Sequence, residues 1–151
     1  MPERILQDLH QDHEQVSEFI EKLLKTEASA ERTPLFKDLM NMLLAHSHAE
    51  QTVLYKKMEK AGDEKARSFA FSGMNEHQIL EQQLQQMSRA RNKASEQWTA
   101  QLKVLRELVN HHVREEETTG FTCARREFDG DQLEKLGEQF HRQKEKLMTE
   151  A

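Results

Sequence analysis

Leu43-Leu44-Ala45-His46-Ser47-His48-Ala49-Glu50 decides how this 151-residue chain is read. His46 and Glu50 stand four residues apart inside an apolar pattern. On a helix, such positions share a face one turn apart, so an imidazole and a carboxylate aim at one region. The arrangement returns in Val109-Asn110-His111-His112-Val113-Arg114-Glu115-Glu116, where His112 and Glu116 repeat the spacing. Imidazoles and carboxylates converging from neighbouring helices are how bundles hold non-haem iron or manganese.

Working outward, four long amphipathic patterns emerge. The first is expected over about Pro2 to Glu27, with Pro2 in the first turn. Its stripe is Leu6, Leu9, Val16, Ile20 and Leu23, and His13 falls within it. The second is expected to start at Thr33-Pro34, with Thr33 as cap, and to stop near Gly62. His46 and Glu50 fill its inner positions, and His48 should face water. The third, Glu64 to about Lys93, carries Phe69, Gly73, His77, Leu80, Leu84 and Met87 on one face. Glu81 lies one turn after His77 and is a candidate to join it at a metal. Gly73 costs the helix ~1 kcal/mol; it reads equally well as room for a neighbour or as a tolerated defect. The fourth starts near Ser95 or Trp98 and runs through Leu102, Leu105, Val109, His112 and Glu116 until Thr118-Thr119-Gly120 ends or loosens it. A turn at Asp129-Gly130-Asp131 leads to a last amphipathic helix over about 131–148, packed outside the bundle.

Short joints between long helices make an all-α, up-down-up-down four-helix bundle with a core over about 2–117 and an added C-terminal helix, together a single domain over 1–151. Distance from a shared turn sets height at about 1.5 Å per residue. By that measure His13, His46, Glu50, His77, His112 and Glu116 fall in one layer, to within about one or two helical turns. Each half of the chain places a His-bearing helix before a His-x-x-x-Glu helix. Buried carboxylates and imidazoles are costly unless paired or bound to a cation, and four inner histidines at one height argue for a metal. The donor set is too large for one zinc ion and lacks thiolates, and suits two octahedral ions sharing carboxylates.

Composition narrows the alternatives. Charged residues make up 32% of the chain and the net charge is -5, with both signs interspersed; no basic patch suggests nucleic acid. No apolar run approaches the ~20 residues that span a bilayer, and the N-terminus lacks a signal-peptide core. A lone cysteine, Cys123, does not call for an oxidising compartment. A cytoplasmic protein without a membrane partner is the expectation, its oligomeric state left open.

The ordered set Asp12-His13, His46-x-x-x-Glu50 followed by Val53-Leu54-Tyr55, Glu76-His77 and His111-His112-Val113-x-Glu115-Glu116-Glu117 resembles the hemerythrin-like, or HHE cation-binding, domain family over about residues 1 to 148. The resemblance implies a non-haem di-iron centre bridged by Glu50, Glu116 and an oxo or hydroxo group. His13, His46, His77 and His112 would be its terminal ligands, with manganese or zinc as substitutes. Oxygen-carrying members have His-x-x-x-His on the third helix, where this chain has Glu81 in the second position. Their last carboxylate is one residue further from its histidine, so Glu116 and Glu117 both stand open. A carboxylate at position 81 would favour ferric iron and irreversible oxidation over a stable oxygen adduct. Dioxygen, peroxide or nitric oxide is the implied small ligand, for sensing, storage, iron or oxidative-stress handling, or weak peroxidase- or oxidase-like turnover. Two rivals remain: a ferritin-like iron handler, whose Glu-x-x-His spacing occurs only at Glu138–His141, and a metal-free helical interaction module.

Overall fold

The apolar stripes dictate the packing. In a computed structural model, which describes residues 3–150, α1 (Arg4–Lys25) is followed by α2 (Ser29–Glu50), which continues through a π-helical turn (Gln51–Tyr55) into α3 (Lys56–Met58). Next come α4 (Glu64–Ser88) and α5 (Glu96–Glu115); a second π-helical turn (Glu116–Gly120) carries α5 into α6 (Phe121–Glu127), and α7 (Gly130–Glu150) closes the chain. The described residues contain no strand, and α1, α2, α4 and α5 form the bundle. The expected role of Pro2 lies outside the described residues.

Side-chain caps open three of the helices. Asp63 accepts from the Lys65 backbone N–H at 3.1 Å to start α4, and Ser95 accepts from that of Trp98 at 3.1 Å to start α5. Asp129 and Gln132 bond reciprocally at 2.8 Å, a capping box that opens α7 where the sequence suggested only a turn.

Two boundaries differ from expectation, and side-chain contacts account for both. α2 begins at Ser29, so Pro34 lies inside the helix instead of opening it. The buried Arg32 holds that extra turn: it donates to the carbonyls of Thr26 (2.6 Å) and Lys93 (2.8 Å) and to Thr99 Oγ1 (2.8 Å). α4 stops at Ser88, short of Lys93. The Lys93 ammonium captures the carbonyls of Ala90 (2.7 Å) and Ser88 (3.2 Å), and the Trp98 indole N–H takes that of Met87 at 3.0 Å. Of the two outcomes open for Thr118-Thr119-Gly120, loosening is the observed one: the backbone widens into a π turn and remains helical to Glu127.

The core is divided. One apolar cluster gathers Leu9, Val53, Leu54, Phe69, Phe121 and Phe140 with their neighbours; the other gathers Val16, Leu39, Leu84, Trp98, Leu102 and Leu105 with theirs. His13, His46, Glu50, His77, His112 and Glu116 are all buried, and in each helix they fall between residues of the two clusters. α7 packs on α1 and α2 through Leu133, Leu136 and Phe140. No helix is long and apolar enough to cross a membrane.

Candidate metal centre

Two groups of donors meet in the polar layer. His13 from α1, His46 from α2 and Glu116 from the second π turn form one; Glu50 from α2, His77 from α4 and His112 from α5 form the other. Within each group the three donor atoms lie within 4.8 Å of one another. The groups are crossed: each takes two imidazoles from one half of the chain and its carboxylate from the other. The carboxylates also link them. Glu50 Oε1 is 3.1 Å from His77 Nε2 and 3.7 Å from His46 Nε2; Glu116 is 3.0 Å from His13 Nε2 and 3.7 Å from His112 Nε2.

Every imidazole is held from behind. Nδ1 of His13 meets Glu117 at 2.7 Å, that of His46 meets Asp12 at 2.8 Å, and that of His112 meets Glu76 at 2.7 Å. Nδ1 of His77 meets the Gln51 side-chain amide at 2.9 Å. A carboxylate only accepts, so it fixes the proton on Nδ1 and turns the Nε2 lone pair inward. The residue before one histidine supports the next: Asp12 precedes His13 and holds His46, and Glu76 precedes His77 and holds His112. The residue after each inner carboxylate does the same, Gln51 after Glu50 and Glu117 after Glu116.

The π turns begin at these points, at Gln51 and Glu116. Such wide turns recur where a helix must re-aim side chains at a functional site. The first delivers Tyr55, fully buried, whose hydroxyl donates to Glu116 and whose ring stacks on His77 at 5.2 Å. Gly73 makes room for that ring: a Cβ there would come within 2.7 Å of Tyr55 Cε2. Of the two meanings open for this glycine, space for a neighbour is the observed one. In the sequence Tyr55 stands only as the end of the Val53-Leu54-Tyr55 run; the fold brings its hydroxyl to Glu116.

The electrostatics are those of a donor cage. Burial and the adjacent Glu116 push Glu50 well above the usual carboxylate range. Burial acts on Glu116 in the same sense, but the adjacent Glu50 carboxyl and the His13 and His112 imidazoles outweigh it and hold Glu116 well below that range. Burial, reinforced by His112, lowers His77 strongly. It also lowers His46 against the pull of Asp12, whereas in His13 the Glu116 and Glu117 carboxylates overcome it and raise the imidazole. Burial raises Tyr55 well above its ordinary value, so the phenol stays a donor.

Five inward atoms have no hydrogen-bond partner: His13 Nε2, His46 Nε2, both Glu50 oxygens and Glu116 Oε1. The close approach of His13 to Glu116 lacks hydrogen-bond alignment. An unsatisfied buried polar group costs about 1–3 kcal/mol, and several in one place call for a common partner. A cation satisfies them together. Imidazole with carboxylate and no thiolate suits iron or manganese.

The other candidates lie elsewhere. Glu81 points to the half-exposed His48, 3.4 Å away, and belongs to neither group. Glu117 is partly exposed and backs His13 and His10, while its neighbour Glu116 faces the interior. Glu138 lies 3.8 Å from Arg4 and the exposed His141 pairs with Glu145, so the ferritin-like spacing on α7 stays outside the layer. Cys123 is buried in an apolar cluster away from the donors. Asp12, Glu76, Gln51 and Glu117 as supports of the imidazoles were missed as a set. Asp12 and Glu76, each immediately before an inner histidine, were the available signal.

Comparison with curated proteins and with solved structures finds no match. The model of the hemerythrin HHE cation binding domain matches residues 4–124, a span that contains all six donors and their four supports. The chain therefore belongs to the hemerythrin HHE cation-binding domain family.

Proposed function

We propose that this protein holds a non-haem di-iron centre that binds or reacts with dioxygen, peroxide or nitric oxide. His13, His46 and Glu116 are assigned to one iron, and Glu50, His77 and His112 to the other. Glu50 and Glu116 are assigned as bridges, because each approaches ring nitrogens of both groups. The observation that carries the reading is the set of five unpartnered buried donor atoms in one layer.

Two irons held there would supply redox chemistry toward a small diatomic or peroxidic ligand. The chain's own groups then have defined work. Asp12, Glu76 and Glu117 keep three Nε2 lone pairs turned inward. Tyr55 offers a hydroxyl proton at Glu116 and remains protonated under its raised pKa. Leu43, Leu80 and Val109, all buried, limit water on one side. Glu81 contributes no donor to the proposed set, so that set is six residues and lacks the third-helix pair of oxygen-carrying members. A cytoplasmic setting is consistent with the buried free thiol of Cys123.

Metal analysis and an anaerobic spectrum test the proposal. Protein made with ample iron should carry about two irons per chain and show near-ultraviolet oxo-diferric bands after oxygen is admitted. A reversible spectral change identifies a carrier or sensor; a permanent change or turnover identifies an oxidant-consuming protein. Folded, metal-free protein from iron-replete cells would overturn the proposal in favour of an interaction module.

A further inference from the structure

α7 lies beyond the matched span, yet it reaches the polar layer. Phe140, fully buried, sets its ring edge against His46, 5.6 Å between centroids at 83°. One turn on, Lys144 passes over the Phe140 ring at 5.6 Å and donates to Asp12 Oδ1 at 2.8 Å. The other oxygen of Asp12 accepts from His46 Nδ1, also at 2.8 Å. Ammonium, carboxylate and imidazole thus form a continuous line from α7 to the inner face of α2. Among the described residues no lysine or arginine pairs with the equivalent carboxylate of the other half, Glu76; its second oxygen meets the exposed His111 at 3.3 Å.

We propose that α7 is a positioning element for one half of the centre: Lys144 pins Asp12, which fixes the His46 ring, while Phe140 shields that ring from water. The physical basis is rotational. A carboxylate held at one oxygen by a lysine in a partly buried setting cannot swing away, so its second oxygen stays aimed at Nδ1. Lys144 touches neither donor group directly, so its effect passes through Asp12 alone. The consequence is asymmetric: retention of the ion at His13, His46 and Glu116 depends on α7, and retention at Glu50, His77 and His112 does not. This rests on the di-iron reading for its metal arm, and stands apart from it in its metal-free arm.

The test uses the full chain with Lys144→Met, which keeps the aliphatic stem over Phe140 and removes the ammonium. Ferrous iron is loaded and then withdrawn with a chelator. One of the two irons should leave about tenfold more readily than in the parent, only one of two Mössbauer doublets should change, and Lys144→Arg should restore both. Arg125→Met, which breaks an exposed pair with Glu3, should leave iron retention unchanged. In the metal-free chain, the ring nitrogen signals of His46 should move in Lys144→Met while those of His112 stay. Equal loss of both irons, unchanged retention, or failure of Lys144→Arg to restore the parent would overturn the proposal. If no variant, nor the parent, binds iron, the di-iron reading fails by itself, and an unmoved His46 signal then overturns the role of α7 separately.

Discussion

The two halves of the polar layer are built to one plan and finished differently. Asp12-His13 and Glu76-His77 correspond, as do His46, Glu50 and Gln51 with His112, Glu116 and Glu117. In both halves a π turn starts at or just after the inner carboxylate. The finish differs at three places. His13 is backed by a carboxylate and His77 by an amide. Asp12 is tied to α7 and Glu76 is not. Tyr55 in the first half reaches Glu116, while its counterpart Phe121 has no hydroxyl to offer.

The amide is the instructive departure. A carboxylate leaves its imidazole one choice of tautomer; an amide can present either its N–H or its oxygen. His77 Nε2 lies 3.1 Å from His112 Nε2, whose proton is committed to the other ring nitrogen by Glu76. That contact is a hydrogen bond only with the proton on His77 Nε2, so the Gln51 N–H faces Nδ1. Presenting the His77 lone pair to a cation then requires the ring proton to change nitrogen and the amide to turn over. One half is preset, and the other adapts.

The largest expected effect tests what the halves share. Because Glu50 and Glu116 each approach ring nitrogens of both donor groups and are assigned as bridges, Glu50→Ala and Glu116→Ala should each remove both irons instead of one, as metal analysis would reveal. Retention of a full single iron in either variant would break the shared-carboxylate plan. Next, Gln51→Glu gives the second half the carboxylate of the first. It should strengthen retention of the ion near His77 by about tenfold in a chelator competition; a weaker hold would mean that the amide is not the looser support.

Tyr55→Phe makes the halves alike at the third place. It removes a buried hydrogen bond to a carboxylate, and should lower the stability of the metal-free chain by about 1.5–3 kcal/mol in denaturant titrations. The smallest effect is on pH dependence without metal. His77 has a lowered pKa, so the unfolded chain binds its proton more readily and stability is lost as pH falls through the ordinary histidine value. His13 is raised, so its contribution is present on the acid side and lost as pH rises through its folded value. The two oppose each other. His77→Gln should therefore flatten the loss of stability between about pH 7 and 5, and His13→Gln should steepen it.

Periodicity carried much of this molecule. Leu9, His13, Val16 and Ile20 lie on one face because 3.6 residues make a turn, and the same count sets His46 above Glu50 and His112 above Glu116. Few short joints leave an antiparallel bundle as the arrangement that buries four stripes at once, and six of the seven candidate donors come together in it. Glu81 obeyed the same spacing and still turned to His48, because spacing gives a direction and not a partner. Helix ends were less legible: Arg32 starts α2 early through Lys93 and Thr99, far along the chain, and Lys93 stops α4 early by capturing the carbonyls of Ala90 and Ser88 just before it.

What the sequence determined alone is the layer: which faces are apolar, which imidazoles and carboxylates interrupt them, and at what height. These are local consequences of helical geometry. What the tertiary structure decided is the pairing within that layer. It tied Glu116 to His13 and Glu50 to His77, set Tyr55 into the space beside Gly73, and brought Lys144 to Asp12. Those are distances between segments remote in sequence, and the packing of whole helices fixes them, because no local rule says which neighbour a buried side chain will meet.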